Sequence, residues 1–319
     1  MARLWYNRIA ARAADGFFLN LARSGKLVPP ARAKWHNLDH IRNVPYLEGG
    51  GPDHVLDVYR PLGPGPFPSL LYIHGGGFRA LSKDSHYLMA LAFARAGFVV
   101  FNINYRLAPK AQFPAAIEDT CAAWTWITGH AGRFGGNPEN IGVSGESAGA
   151  NLTAALVVAT CFERPEPYAQ RAFETGVVPR FAVPACGIFQ VSDCARFGGR
   201  RLRDRAIMAV LRDVEDCYLP DSGNLDTTMA DPLLLLESDT PSVRPLPPFF
   251  IPAAGRDPLR EDSLRLEGAL RAREVEATCE IYPGEMHAFH ALIWRKHARA
   301  CWRQTLRFAR RCAGIRSIR

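Results

Sequence analysis

No two of the eight cysteines stand in a Cys-x-x-Cys pair, and several lie inside apolar runs, as Cys121 does in CAAWTWI. That distribution points to buried thiols in a reducing compartment rather than to a disulfide framework. No apolar stretch reaches the roughly 18 residues of a membrane span. The N-terminal MARLWYNRIAARAADGFF spreads its charges and lacks a continuous apolar h-region. A cytoplasmic protein without a stable membrane anchor is the expectation. There is no internal repeat and no low-complexity tract, and 27 Gly with 24 Pro in 319 residues fall short of a collagen-like or disordered chain. A chain of this length buries about three quarters of its unfolded surface, so its core needs neither metal nor disulfide. A fibre, a disordered tail and a small stapled scaffold are excluded.

Acidic residues run out toward the C-terminus: after Glu285 there are nine Lys or Arg and no Asp or Glu. Lysine is scarce, with five in the chain, so Arg supplies nearly all of the net charge of +8. One reading is a patch for nucleic acid or anionic membranes. The other is a C-terminal amphipathic helix whose basic face meets solvent, with Ile293, Ala300, Cys301, Leu306 and Phe308 on its apolar side. We favour the second and expect no nucleic-acid partner; a salt-dependent binding assay separates the two.

From about residue 44 short apolar segments alternate with longer helical patterns. Strands are expected at 55–59, 69–73, 98–103, 140–144, 182–189, 248–253 and 278–282, and helices at roughly 84–96, 115–130, 148–162, 261–273 and 288–312. Strands that are apolar throughout and separated by helices imply an α/β fold: a central, mostly parallel sheet with helices on both faces. Residues 1–40 read as helical and amphipathic, ending at Pro29-Pro30. Residues 192–232 break the rhythm, being charged and then helical, as an insertion lying over the sheet would be. In such sheets reactive groups belong in the loops after the carboxyl ends of strands.

The strongest chemical signal is Gly145-Glu146-Ser147-Ala148-Gly149, between the apolar IGVS and the helix-forming AGANLTAALVVA. A bare GxSxG is weak, but strand, turn and helix together are the setting of a nucleophile elbow, with the serine Oγ exposed on a strained turn. The helix N-terminus behind Ser147 favours developing negative charge. A second signal, His74-Gly75-Gly76-Gly77, directly follows SLLYI. Consecutive glycines let backbone N–H groups approach an oxyanion without side-chain obstruction, and an HGGG loop is the usual partner of such an elbow. His74 reads as a loop-fixing residue, not the base.

An acid and then a base must follow the serine in chain order. Asp257 stands just past PFFIPAAGR, and His287 just past TCEIYP. Asp231 and Asp239 flank a non-strand segment and read as surface or cap charges. His290 is the rival base, but three residues on it should lie inside the following helix.

With these pieces assembled, the chain resembles the hormone-sensitive-lipase-like (bacterial family IV) branch of the α/β-hydrolases from about residue 45 to 292. The resemblance includes Tyr-Arg-Leu-Ala-Pro at 105–109, Phe-Pro-Ala-Ala-Ile-Glu-Asp at 113–119, Leu-Pro-Pro at 246–248 and Asp-Pro-Leu at 257–259. It implies a single α/β-hydrolase domain over 1–319, with a helical cap from segments 1–40 and 192–232, and a carboxylic-ester hydrolase that needs no cofactor or metal. Its catalytic residues would be Ser147, Asp257 and His287, with an oxyanion hole from the N–H groups of Gly76, Gly77 and Ala148. The substrate is then a small ester of short to medium acyl chain. Phe17, Phe18, Trp35, Met208, Leu211 and Tyr218 are the candidates for closing the acyl pocket. Two features depart from the family: Glu146 stands where Asp or Thr is more usual, and the cap matches weakly. An amidase or formamidase on the same triad, and a non-catalytic small-ligand receptor, stay open as alternatives. So does the choice between monomer and homodimer.

Overall fold

The computed structural model describes residues 32–198, 202–220 and 226–315, with the backbone alone for 202–209. Its eight strands are β1 (Leu38–Pro45), β2 (Val55–Pro61), β3 (Phe67–Ile73), β4 (Val99–Ile103), β5 (Gly136–Glu146), β6 (Ala182–Ala185), β7 (Phe249–Ala254) and β8 (Ala277–Tyr282). They form one sheet in the order β1-β2-β4-β3-β5-β6-β7-β8. β1 and β2 run antiparallel at one edge, and every pairing from β4 to β8 is parallel.

Every strand except β1 coincides with one read from sequence, the antiparallel β2 included, and the central strands stand out because both of their faces are covered. β4 (VVFNI) and β7 (FFIPAA) are buried throughout. β1 was not anticipated. Its sequence, LDHIRNVP, is half-exposed and carries Asp39, His40, Arg42 and Asn43, as an edge strand with one wet face can. It begins at Leu38, inside the segment 1–40 read as part of the cap, whose helical character is expected to end at Pro29-Pro30. β6 is shorter than the expected 182–189, because Cys186 turns to φ +49° and leaves the sheet.

Eight helices are described: α1 (Tyr87–Arg95), α2 (Ala115–His130), α3 (Ala148–Cys161), α4 (Pro167–Glu174), α5 (Leu202–Tyr218), α6 (Pro232–Glu237), α7 (Arg260–Ala272) and α8 (Lys296–Cys312). All 14 residues of α3 are buried, as expected of a helix apolar on every side. Its one amide, Asn151, donates both Nδ2 protons, to the carbonyls of Ile188 and Ala230 at 2.8 Å each, while its Oδ1 is buried without a hydrogen-bond partner. The expected helix 288–312 is two pieces, a 3₁₀ turn at Phe289–Ala291 and then α8, because Leu292 (ψ 68°) and Arg295 (ψ 145°) leave the helical region between them.

α8 buries Ala298, Cys301, Thr305 and Ala309, and packs Trp302, Leu306 and Phe308 against the core between α1 and the sheet. Its arginines lie on the other side, where Arg311 pairs with Glu276. Ile293 falls before the helix and is exposed. Among the described residues no helix is long and apolar enough to cross a membrane. The eight cysteines are free, five of them buried.

Candidate active site

Ser147 follows the last residue of β5, at the centre of the sheet, and caps the N-terminus of α3. Its φ of +54° with ψ −116° is a conformation that costs a non-glycine residue about 1–3 kcal/mol. The surrounding core holds it there: Ser147 N–H donates to Ala185 O at 2.9 Å, and its carbonyl accepts from Ala150 and Asn151. At Gly149, a Cβ would stand 2.2 Å from Ile73 O, so only glycine lets the first turn of α3 press against β3.

The loops after β7 and β8 bring Asp257 and His287 to this turn. His287 Nε2 lies 3.0 Å from Ser147 Oγ, and His287 Nδ1 lies 2.6 Å from Asp257 Oδ2. A carboxylate accepts only, so Nδ1 carries the proton and the Nε2 lone pair faces the serine hydroxyl. Asp257 Oδ1 accepts from Leu259 N–H at 3.0 Å, which fixes the carboxylate's rotation. Burial disfavours the imidazolium, yet the charge and hydrogen bond of Asp257 raise His287 from 6.5 to about 9. The three residues picked from sequence therefore meet.

The loop after β3 supplies backbone donors. Gly76 and Gly77 adopt φ +117° and +58°. With Ala148, they carry N–H groups that make no hydrogen bond among the described residues. His74 is buried; its ring stacks on Tyr105 and its Nδ1–H donates to Gly75 O at 2.7 Å. Burial pushes this imidazole down to about 3, so it stays neutral. A Cβ on Gly76 would lie 2.0 Å from Ala80 O. We expect Gly76→Ala to open this turn and cost about 10²–10³ in kcat, as loss of one oxyanion donor does. Wild-type kcat on a short ester, measured beside a thermal melt, would show that the loop does not act in this way.

A cavity of about 260 Å³ opens above Ser147 and His287, walled by Leu81, Ile188, Leu259 and Met286 and by Val210, Leu211 and Val214 of α5. α5 rests on the glycine loop. A Cβ on Gly77 would be 2.8 Å from Val214 Cγ2, Tyr218 stacks on Phe78 at 3.8 Å, and Arg79 pairs with Asp213 at 3.4 Å.

Of the candidates for closing the pocket, Leu211 lines it and Tyr218 supports it from behind through Phe78. Trp35 does not: it is 65% exposed, just ahead of β1, and β1 lies four strand spacings, about 19 Å, from β5. Phe17, Phe18, the Met208 side chain and most of segment 1–40 lie outside the described residues. Asp231 is also not the surface charge expected. It is buried and accepts from Val191 and Ser192 N–H and Thr227 Oγ1, pinning the chain beyond β6.

Among the described residues the one group able to offer three metal-type ligands is Cys186, Asp257 and His287, whose atoms lie within 4.8 Å of one another. Burial pushes the Cys186 thiol well above its usual range, so it stays protonated, and the other two are joined by their own hydrogen bond. Sequence reasoning missed the partners of Glu146. His86 and His290 both reach this buried carboxylate, and neither sits in a motif that spacing alone marks.

Residues 70–291 match the family model for the alpha/beta hydrolase fold. The chain is 31% identical over 288 residues to carboxylesterase NlhH of Mycobacterium tuberculosis, covering 87% of this chain and 83% of that one. It is 31% identical over 238 residues to an acetyl esterase of Salmonella typhi, covering 74% and 69%. Among solved structures, an esterase of Pyrobaculum calidifontis superposes with a TM-score of 0.72 at 23% identity, over 98% of this chain and 92% of that one.

Proposed function

We propose, for a chain that belongs to the hormone-sensitive-lipase-like family of the alpha/beta hydrolase fold and is a serine ester hydrolase, that it cleaves short- to medium-chain acyl esters through an acyl-enzyme on Ser147. The observation that carries this is the continuous line from Asp257 through His287 to Ser147 Oγ, at 2.6 and 3.0 Å. His287 takes the hydroxyl proton as Oγ attacks the ester carbonyl, and the Oγ–C bond forms while the carbonyl π pair moves onto oxygen. Asp257 keeps the imidazole in its tautomer and stabilises the imidazolium. The N–H groups of Gly76, Gly77 and Ala148 receive the oxyanion. The carbonyl then reforms, the alcohol leaves with the proton from His287, and water repeats the sequence to release the acid.

The cavity supports the choice of substrate size. An apolar pocket gains about 0.8 kcal/mol per CH₂ until it is filled, and then strains against longer chains. With α5 as the cap segment closing one side, p-nitrophenyl ester hydrolysis should rise from acetyl to about butyryl or hexanoyl and fall sharply by lauroyl. Preference for palmitoyl over butyryl would sink the closed-pocket reading. The amidase reading is tested in parallel with the matching anilide and N-formyl compounds, which should be poor substrates. Eight free cysteines support placement in the cytoplasm.

A further inference from the structure

Glu146, one residue before the nucleophile, is 6% exposed and lies between two imidazoles. Its Oε2 is 3.1 Å from His290 Nε2 and its Oε1 is 3.6 Å from His86 Nε2. A carboxylate only accepts, so His290 Nε2 carries a proton and donates it. At His86 the proton sits on the other nitrogen. Ser85 Oγ donates to Ser82 O at 2.6 Å and so accepts from His86 Nδ1–H at 2.9 Å. The His86 Nε2 lone pair then receives Gly75 N–H at 3.3 Å. Gly75 packs so closely on this carboxylate that a Cβ would lie 2.9 Å from Oε1.

Three segments meet at that one side chain: the elbow at 145–149, the glycine loop at 74–77, and the turn from His287 to His290. Burial opposes the charge on Glu146, but the hydrogen bond donated by His290, with the two imidazoles packed beside it, holds the carboxyl well below the usual range. The other polar groups facing it are His74 and the hydroxyls of Tyr72 and Tyr105, all neutral. His287 is faced by Asp257, Glu146, Ser147 and the protonated Cys186, with Arg79 and Arg256 at the cavity wall.

We propose that Glu146 is a positioning residue for the reaction. Its carboxylate holds the glycine loop and the His287 turn in register with the elbow, and its fixed charge favours the imidazolium that forms as Ser147 attacks. This rests on the reading of Ser147 and His287 as nucleophile and base. It also gives the glutamate a function distinct from that of the triad acid, because it never touches the imidazole that moves the proton.

The test compares Glu146→Gln and Glu146→Asp with wild type, using kcat and KM on p-nitrophenyl butyrate, the pH profile, and a fluorophosphonate titration that counts active sites. E146Q removes the charge and keeps the shape. We expect kcat per labelled site to fall about tenfold with KM little changed. The acid limb should move to lower pH by about half to one unit, one unit being a tenfold change in equilibrium. E146D keeps the charge one methylene short of its partners, so the limb should stay in place while kcat falls. An E146Q enzyme with wild-type kcat per labelled site and an unmoved limb overturns the proposal, even if its melting temperature drops, because that is the behaviour of a merely structural residue. If E146Q does not fold, E146D decides: wild-type kcat per labelled site overturns the proposal. A wild-type protein that no fluorophosphonate labels would instead break the reading of Ser147.

Discussion

Replacing Ser147 with alanine should remove on the order of 10⁶ in kcat, the scale seen when a triad nucleophile is deleted. Labelling by serine-directed phosphonates should vanish with it. The effect is large because no second group can step in. Among the described residues no other serine stands on a strand-to-helix turn within reach of His287. The nearest thiol, Cys186, is buried and protonated at neutral pH, since burial pushes it up and Asp257 beside it disfavours a thiolate. The other described thiols with a resolved shift are also pushed upward by burial. The fold should survive, because alanine fits wherever serine does and Ser147 donates no side-chain hydrogen bond except toward His287. Circular dichroism and a melt would establish that. Full inactivation by iodoacetamide together with retained activity in Ser147→Ala would transfer the role to a cysteine.

The second large effect belongs to the base and its acid. His287→Ala should cost about as much as loss of the serine, since the two act as one unit. His290→Ala should stay within about a hundredfold of wild type, the scale of a misplaced catalytic group. Asp257→Asn should lower kcat by about 10⁴, because an amide no longer selects the Nδ1–H tautomer. The sign of the pH dependence follows from the same pair. Asp257 raises the His287 pKa, and the base works only when neutral, so activity is lost as pH falls. The acid limb should lie above 6.5, displaced toward about 9. In Asp257→Asn the residual activity should keep its acid limb but at lower pH, because the raising charge is gone. A wild-type limb at or below 6.5 would show that Asp257 does not act on the imidazole in this way.

The sequence by itself determined the parts whose signal is local. β3, β4, β7 and the second half of β5 are largely apolar and buried because both faces of a parallel sheet are covered. The elbow at 145–149 and the loop at 74–77 are legible because a tight turn and an exposed backbone donor each demand small residues at fixed offsets. Asp257 and His287 were identifiable from their place just past a strand. Edge strand β1 was not, since a strand with one wet face and an irregular register looks like a loop.

Other features were decided by the tertiary structure alone. Asp231 resembles a surface charge in sequence and is a buried acceptor for three donors, because what neutralises a carboxylate is whatever the fold brings to it. Trp35 has the bulk to close a pocket and sits at the wrong edge of the sheet. His290 and His86 are 204 residues apart in the chain, and nothing in their spacing relates them. They meet on Glu146 because β3 and β5 lie side by side in the sheet and the loops beyond β3 and β8 converge on the elbow. A contact of that kind depends on strand order, and strand order is set by the packing of the whole sheet.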